Sequence, residues 1–268
     1  GTAPMSAEQA TALVLRTYDF SESSLVVTLF TREFGKIRAL AKGAKRPKNP
    51  FDFALDLLAL CRIVFLHKST EALHLLTEAK LLRRFRVERS GLEGWYAALY
   101  ASDLVNAMTH DEDAQPMLFD LLEDSLNRFQ TRTRLKDHLL RFEWRLLSLT
   151  GHGPSLDACV SCGEEIKNIA ATTQNSDDTQ RKTSRSEVFF ALTEGGVLCP
   201  RCRAGKRAVV SVHAEALATL RLLGEDSDKE VHIPPSIYGE LRGLLNQYLC
   251  HLLGQRPRMH DYLGYLAG

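Results

Sequence analysis

The chain has 268 residues, 44% hydrophobic and 25% charged, which is enough for one sizeable core and long enough for two or three domains. Its net charge of +1 excludes a uniformly basic or uniformly acidic protein, but the charge is unevenly spread. Residues 1–86 carry 14 basic and 8 acidic side chains, and the remaining 182 carry 20 and 25. This points to an anionic partner for the N-terminal third, the alternative being a solvated basic face.

Residues 1–4 precede Met5 and read as an expression scar. No basic start followed by an apolar core comes after them, so secretion is not expected. The longest apolar stretch, 53–66, is interrupted by Asp56 and Arg62 and falls short of the roughly 20 residues of a membrane span. No membrane segment is expected. Two of the three pairs that six cysteines allow are Cys-x-x-Cys, a spacing suited to metal or redox chemistry in a reducing compartment, so the cytosol is expected.

In chain order, residues 11–17 and 24–31 read as strands rich in β-branched side chains. Arg32-Glu33-Phe34-Gly35 turns tightly into a third strand, 36–42, to make a hairpin. A loop follows at 43–50, then strands at 56–66 and 71–82 joined by Lys68-Ser69-Thr70. Five short strands fit a small closed barrel, and the OB-fold is the commonest such barrel that handles oligonucleotides. Beyond residue 86 the period becomes helical, with Leu92, Trp95, Leu99, Ser102, Val105 and Met108 on one stripe. A second helix is expected at 116–129. A third spans 134–149, with Leu135, Leu139, Phe142, Leu146 and Leu149 on one face and Gly151 at its end. These stripes are core, and Trp95 and Trp144 need no ligand. The polar insert 168–187 is too poor in large apolar residues to pack and reads as a mobile loop. Helices at 212–223 and 236–253 complete the chain, the second introduced by Pro234-Pro235. The expected fold is α+β: an N-terminal OB-fold barrel over 5–84, then an α-helical domain over 85–268 holding a four-cysteine zinc knuckle at about 156–208.

The strongest chemical signal is the two pairs Cys159/Cys162 and Cys199/Cys202. Each grips a metal from a tight turn, and together they supply the four thiolates of one closed, structural zinc site. A redox pair or unmetallated thiols are the alternatives. The 36 residues between the pairs exceed a usual zinc-ribbon gap, and the polar insert accounts for the excess. A filled four-thiolate site has no open position for water or substrate, so no catalysis is expected there. His213-Ala214-Glu215 resembles the H-x-E of zinc deaminases, but it follows the cysteine pairs instead of preceding them, and Pro200 lies inside its pair. His110-Asp111-Glu112 precedes the pairs but starts at an expected helix end.

The second signal is a basic cluster: Lys36, Arg38, Lys42, Lys45, Arg46 and Lys48. The first three fall at even spacing on one strand and share a face. The loop around Pro47 continues the positive track, and all six are candidate phosphate contacts. Phe34 or Phe51 offers a stacking surface for bases beside it, the alternative being plain core.

A strand-rich start in which Gly35-Lys36 opens a strand, with Ala41-Lys42-Gly43-Ala44-Lys45-Arg46 before a Pro/Phe loop, resembles the RecO family of bacterial recombination mediators. The order of parts agrees over nearly the whole chain, and the 168–187 insert is the departure. The resemblance implies an OB-fold, a helical domain and, at Cys159, Cys162, Cys199 and Cys202, a zinc element. It also implies binding of single- and double-stranded DNA, annealing of complementary strands, and loading of RecA onto strands coated by single-stranded-DNA-binding protein. The implied partners are RecR and the acidic, apolar C-terminal tail of the single-strand-binding protein; Arg128, Arg132, Arg134, Arg141 and Arg145 beside apolar helix stripes are candidates to capture that tail. No catalytic residue is implied. The alternatives are a zinc-ribbon enzyme acting on RNA or nucleotides, which would turn over substrate without partners, and a structural adaptor, which would show no salt-sensitive DNA binding. The DNA path past Arg201, Arg203, Lys206 and Arg207 is left open.

Overall fold

The computed structural model describes residues 6–51, 53–67, 73–166, 187–224 and 231–262. Five strands, β1 (Ala7–Asp19), β2 (Leu25–Thr31), β3 (Gly35–Ala41), β4 (Leu60–Leu66) and β5 (His74–Arg83), close into a barrel in the order β1-β2-β3-β5-β4. All pairings are antiparallel except β3 with β5, which is parallel and sets Ala39 opposite His74. Strand alternation assigns the faces. Val27, Leu29, Ile37, Ala39 and Ala41 point into the core with Phe51, Ile63 and Phe65, while Lys36, Arg38 and Leu40 point outward.

The hairpin between β2 and β3 turns where expected. The buried Thr31 hydroxyl accepts the Phe34 N–H and donates to the Gly35 carbonyl, both at 2.9 Å. Gly35 has φ +69°, and a Cβ there would stand 1.9 Å from the Asp113 carbonyl oxygen. The fourth strand starts later than residue 56. Residues 53–58 instead form turns, with Ala54 N–H donating to Phe51 and Ala59 N–H to Asp56, and Phe51, Ala54 and Leu55 tuck into the barrel core. The Lys68-Ser69-Thr70 turn and residues 168–186 of the polar insert lie outside the described residues; Glu187 opens a strand.

Helix α1 (Val87–Met108) has a break at Gly91 (φ 64°), and α2 (Pro116–Phe129) starts with proline at its first turn. The buried face of α1 is not the large-residue stripe. Leu92 is exposed and Trp95, Leu99 and Met108 are half-buried, whereas Gly94, Ala97, Ala98, Ala101, Leu104 and Val105 are buried. Close approach explains the choice: a Cβ at Gly94 would lie 2.4 Å from the Phe129 carbonyl oxygen on α2. Phe119 of α2 packs its ring 6.0 Å from that of Phe30, on the outer face of β2.

The chain divides into two compact units. The first comprises the barrel, α1 and α2 to residue 135, and is rejoined by the chain from Arg258; the second covers residues 136–257. Within the first unit, the Arg258 N–H donates to Asp103 at 2.9 Å, and the ring of Tyr262 lies 5.0 Å from that of Tyr96.

The second unit is mixed rather than purely helical. It holds most of α3 (Leu135–Leu149), a three-stranded antiparallel sheet of β6 (Glu187–Ala191), β7 (Gly196–Leu198) and β8 (Val209–His213) in the order β7-β6-β8, then α4 (Pro200–Arg203), α5 (Ala214–Gly224) and α6 (Pro235–Leu253). The segment from 212 therefore begins in a strand, and its helix starts at Ala214. The sheet escaped the sequence reading because β6 and β7 are only five and three residues long, too short to show a period. Phe190 of β6 meets Tyr248 of α6 edge-on at 5.4 Å. Arg242 on α6 forms a two-pronged pair with the fully buried Glu143 of α3, 2.5 Å on each prong. Trp144 is core, as expected.

Candidate metal centre and nucleic-acid surface

The four cysteines meet. Cys159 and Cys162 come from a turn after α3, Cys199 and Cys202 from the start of α4, and all four sulfurs lie within 4.8 Å of one another, with Cys162 Sγ 3.8 Å from Cys199 Sγ. Each pair is held by the knuckle turn its spacing demands: the Gly163 N–H donates to the Cys159 carbonyl at 2.8 Å, and the Cys202 and Arg203 N–H groups to that of Cys199. The two turns are tied by the Val160 N–H donating to Val197. Cys159 and Cys199 are buried, Cys162 is exposed, and none of the four is in a disulfide. Burial pushes the Cys159 thiol up, but backbone groups of Cys199, Ser161 and Cys162, with the Cys162 thiol, outweigh it and bring it down to about 6. Cys202 is pushed up to about 12 by its hydrogen bonds to Cys199 and Cys162 and then by burial. Four thiols gathered this closely are a donor set that a divalent cation satisfies by displacing their protons. The residues present fit a tetrahedral, all-sulfur site.

Around this cluster, Arg201 pairs with Glu164 and Lys206 with Glu194, each at 2.5 Å, while the Arg203 guanidinium lies 4.5 Å from the centre of the Phe189 ring. His213 is not near the cysteines in function: its N–H and Nδ1 both face the Glu240 carboxylate, at 2.5 and 2.9 Å.

The basic cluster is split by the fold. Lys36 is only 12% exposed, and its Nζ donates to the carbonyls of Asn106 and Thr109 at 2.8 and 2.7 Å, with Asp111 at 3.5 Å. It closes the C-terminal end of α1, where unsatisfied carbonyls and the helix dipole favour a cation, and it is not open to a phosphate. Arg38 is 56% exposed and meets Asp111 at 3.1 Å. Lys45 pairs with Asp19 at 2.6 Å. Lys42, Arg46 and Lys48 are exposed and make no ion pair among the described residues.

The expected stacking aromatics are core: Phe51 is 1% exposed, and Phe34 packs edge-on against Phe65. Two others are presented instead. Tyr18 and Phe20, the latter 61% exposed, flank the β1–β2 turn. That turn is bonded to the basic loop, since the Lys45 N–H donates to Ser23 and the Gly43 N–H to the Ser24 hydroxyl. A further set of cations also went unremarked in the sequence. Arg83, Arg84, Arg86 and Arg89 line a cleft of about 590 Å³ with Asn127 and Gln130. The run Arg83-Arg84-Phe85-Arg86 was the available signal. Arg84 lies over the exposed ring of Phe53 at 5.2 Å.

The tail-capturing arginines do not share one helix. Arg128 is on α2 and pairs with Asp124, Arg132 and Arg134 lie in the following connection with positive φ, and Arg141 and Arg145 belong to α3 in the second unit.

A closed barrel flanked by a cationic loop, in a chain that also gathers four cysteines into one cluster, defines a protein of mixed α+β class. The family model for the N-terminal part of recombination protein O matches residues 5–85, and the model for its C-terminal part matches 89–261. "DNA repair protein RecO" of Rhodopirellula baltica is 37% identical, with 94% of this chain and 97% of that protein covered. The proteins of that name from Myxococcus xanthus and Symbiobacterium thermophilum are each 32% identical, with 96% and 95% of this chain covered. The chain belongs to the RecO family.

Proposed function

We propose that this chain is a DNA repair protein that binds single- and double-stranded DNA through an OB-fold barrel, residues 5–84, anneals complementary strands, and helps load RecA onto strands coated by single-stranded-DNA-binding protein. One observation carries the DNA-binding part: Lys42, Arg46 and Lys48 stand exposed, with no ion pair among the described residues, on a loop hydrogen-bonded to the turn that presents Tyr18 and Phe20. Cations for phosphates beside aromatic rings for bases form the general design of single-strand binding. Arg38 and Lys45 extend the track once their exposed carboxylate partners exchange for phosphate, and Lys36 is excluded from it. Cys159, Cys162, Cys199 and Cys202 hold one structural zinc ion. RecR and the C-terminal tail of the single-strand-binding protein are the partners, the tail's carboxylate being taken by arginine. The protein acts in the cytoplasm, at the nucleoid, without catalysing a reaction. Among the described residues no helix is long and apolar enough to cross a membrane.

The deciding experiment is annealing of complementary strands coated by cognate single-strand-binding protein. The expected result is acceleration by this chain, lost when Arg46 and Lys48 are both changed to Glu. No acceleration by the unaltered chain would refute the reading.

A further inference from the structure

A second cluster of metal-binding side chains lies in the barrel unit, remote in sequence from the cysteines. His67 follows β4, His74 opens β5, and Glu112 stands in the connection after α1. Each offers one donor atom, and the three donors lie within 4.8 Å of one another. His74 is buried, its side chain 4% exposed, with Nε2 3.0 Å from Glu112 Oε1. The His67 and His74 rings are stacked, 4.9 Å between centres and 28° between planes.

The frame of this cluster is firm. The His67 N–H donates to Ser6 at 3.1 Å, and parallel pairing with Ala39 fixes His74. Glu112 is held in the left-handed region, φ 58°, by its own N–H donating to the Lys36 carbonyl at 2.8 Å. A non-glycine residue is kept there only when its surroundings over-determine it. The Lys36 side chain and the close seat of Asp113 on Gly35 fasten the same connection from both sides.

We propose that His67, His74 and Glu112 bind one divalent transition-metal ion of the zinc type. A divalent cation satisfies all three donors together. Two histidines and one carboxylate are a set that zinc accepts, with water in the fourth position. Bonds of about 2.1 Å in a tetrahedron put donors roughly 3.4 Å apart, so separations that now lie within 4.8 Å must close by at most about 1.4 Å. Rotation of Glu112, whose side chain is 51% exposed, and of the half-buried His67 supplies that closure. The bound ion ties the ends of β4 and β5 to the connection between α1 and α2.

The test is a titration of the full chain, stripped by chelator, with cobalt(II). Cobalt on four thiolates shows intense sulfur-to-metal charge-transfer absorption, whereas cobalt on two imidazoles and a carboxylate shows only weak d–d bands. The expected result is a second equivalent with no added charge-transfer band, lost in His67→Gln and weakened by more than about tenfold in Glu112→Gln, while the thiolate signal stays. Glu112 is half-exposed and His67 only half-buried, so these variants should fold even if His74→Gln does not. A stoichiometry limited to the thiolate signal, or a second equivalent indifferent to both variants, would overturn the site. Absence of the thiolate bands alone would count against the cysteine centre and leave this one standing.

Discussion

At the scale of single residues, the buried Glu143 is the most exposed to damage. Its carboxylate is wholly removed from water and answered by both prongs of Arg242. Removing one member of such a pair strands a charge, and Arg242→Met should cost about 3–5 kcal/mol in urea unfolding. Replacing both, with Glu143→Leu added, should recover much of it, because two apolar side chains need no partner. Cys61 makes a different prediction. Burial in the barrel core pushes its thiol from the usual 9 up to about 12. The folded state therefore holds this proton more tightly than the unfolded state, so the stability is whole below about pH 9 and drains as pH climbs towards 12. The slope from this group is at most about 1.4 kcal/mol per pH unit, and Cys61→Ala should flatten the alkaline limb of a stability profile. Cys199→Ser, by contrast, should lower both zinc content, measured by atomic emission, and thermal stability, whereas Cys61→Ala leaves the zinc in place.

At the scale of elements, β3 serves two purposes that the sequence showed as one. Alternation placed Lys36 and Arg38 on a common outward face of β3, whereas Lys42 lies beyond the strand end in the turn that follows; nothing local distinguishes a lysine that will meet phosphate from one that will meet helix carbonyls 70 residues away. That distinction is tertiary. The measurable consequence is a split among the variants. If Arg38, Lys42, Lys45, Arg46 and Lys48 each meet a phosphate of single-stranded DNA, log K should fall against log salt with a slope of about −3.5, each loss flattening it by about 0.7. Lys36→Met should lower the melting temperature and leave the slope unchanged. That the four cysteines would meet was legible, since Cys-x-x-Cys dictates its own turn and the two turns come together in one cluster. The α1 stripe was misread for the opposite reason. Large residues suggest a buried face, yet here Gly94 is buried where the end of α2 comes too near for a side chain, alongside Ala97, Ala98 and Ala101, while of the expected stripe only Ser102 and Val105 are buried. The His67, His74 and Glu112 cluster was not legible, because the two histidines meet across the antiparallel β4–β5 pair and Glu112 joins them only through its hydrogen bond to Lys36 on β3.

At the scale of the whole chain, the compact first unit runs past residue 84, where composition changes, to include α1 and α2. Phe119 against Phe30 and Lys36 on the end of α1 are the contacts a cut at 84 would open. A fragment of residues 5–84 should therefore unfold at lower denaturant than one of residues 5–134, as circular dichroism would register. The same unit is closed by a strap that arrives very late: the Arg258 N–H on Asp103 and Tyr262 on Tyr96. During synthesis the barrel and its two helices leave the ribosome first, then wait while more than a hundred residues of the second unit emerge before their last partners exist. For that interval the nascent first unit lacks the Arg258 N–H on Asp103 and the Tyr262 ring beside Tyr96, and a chain truncated by a stop at residue 257 would lack them for life.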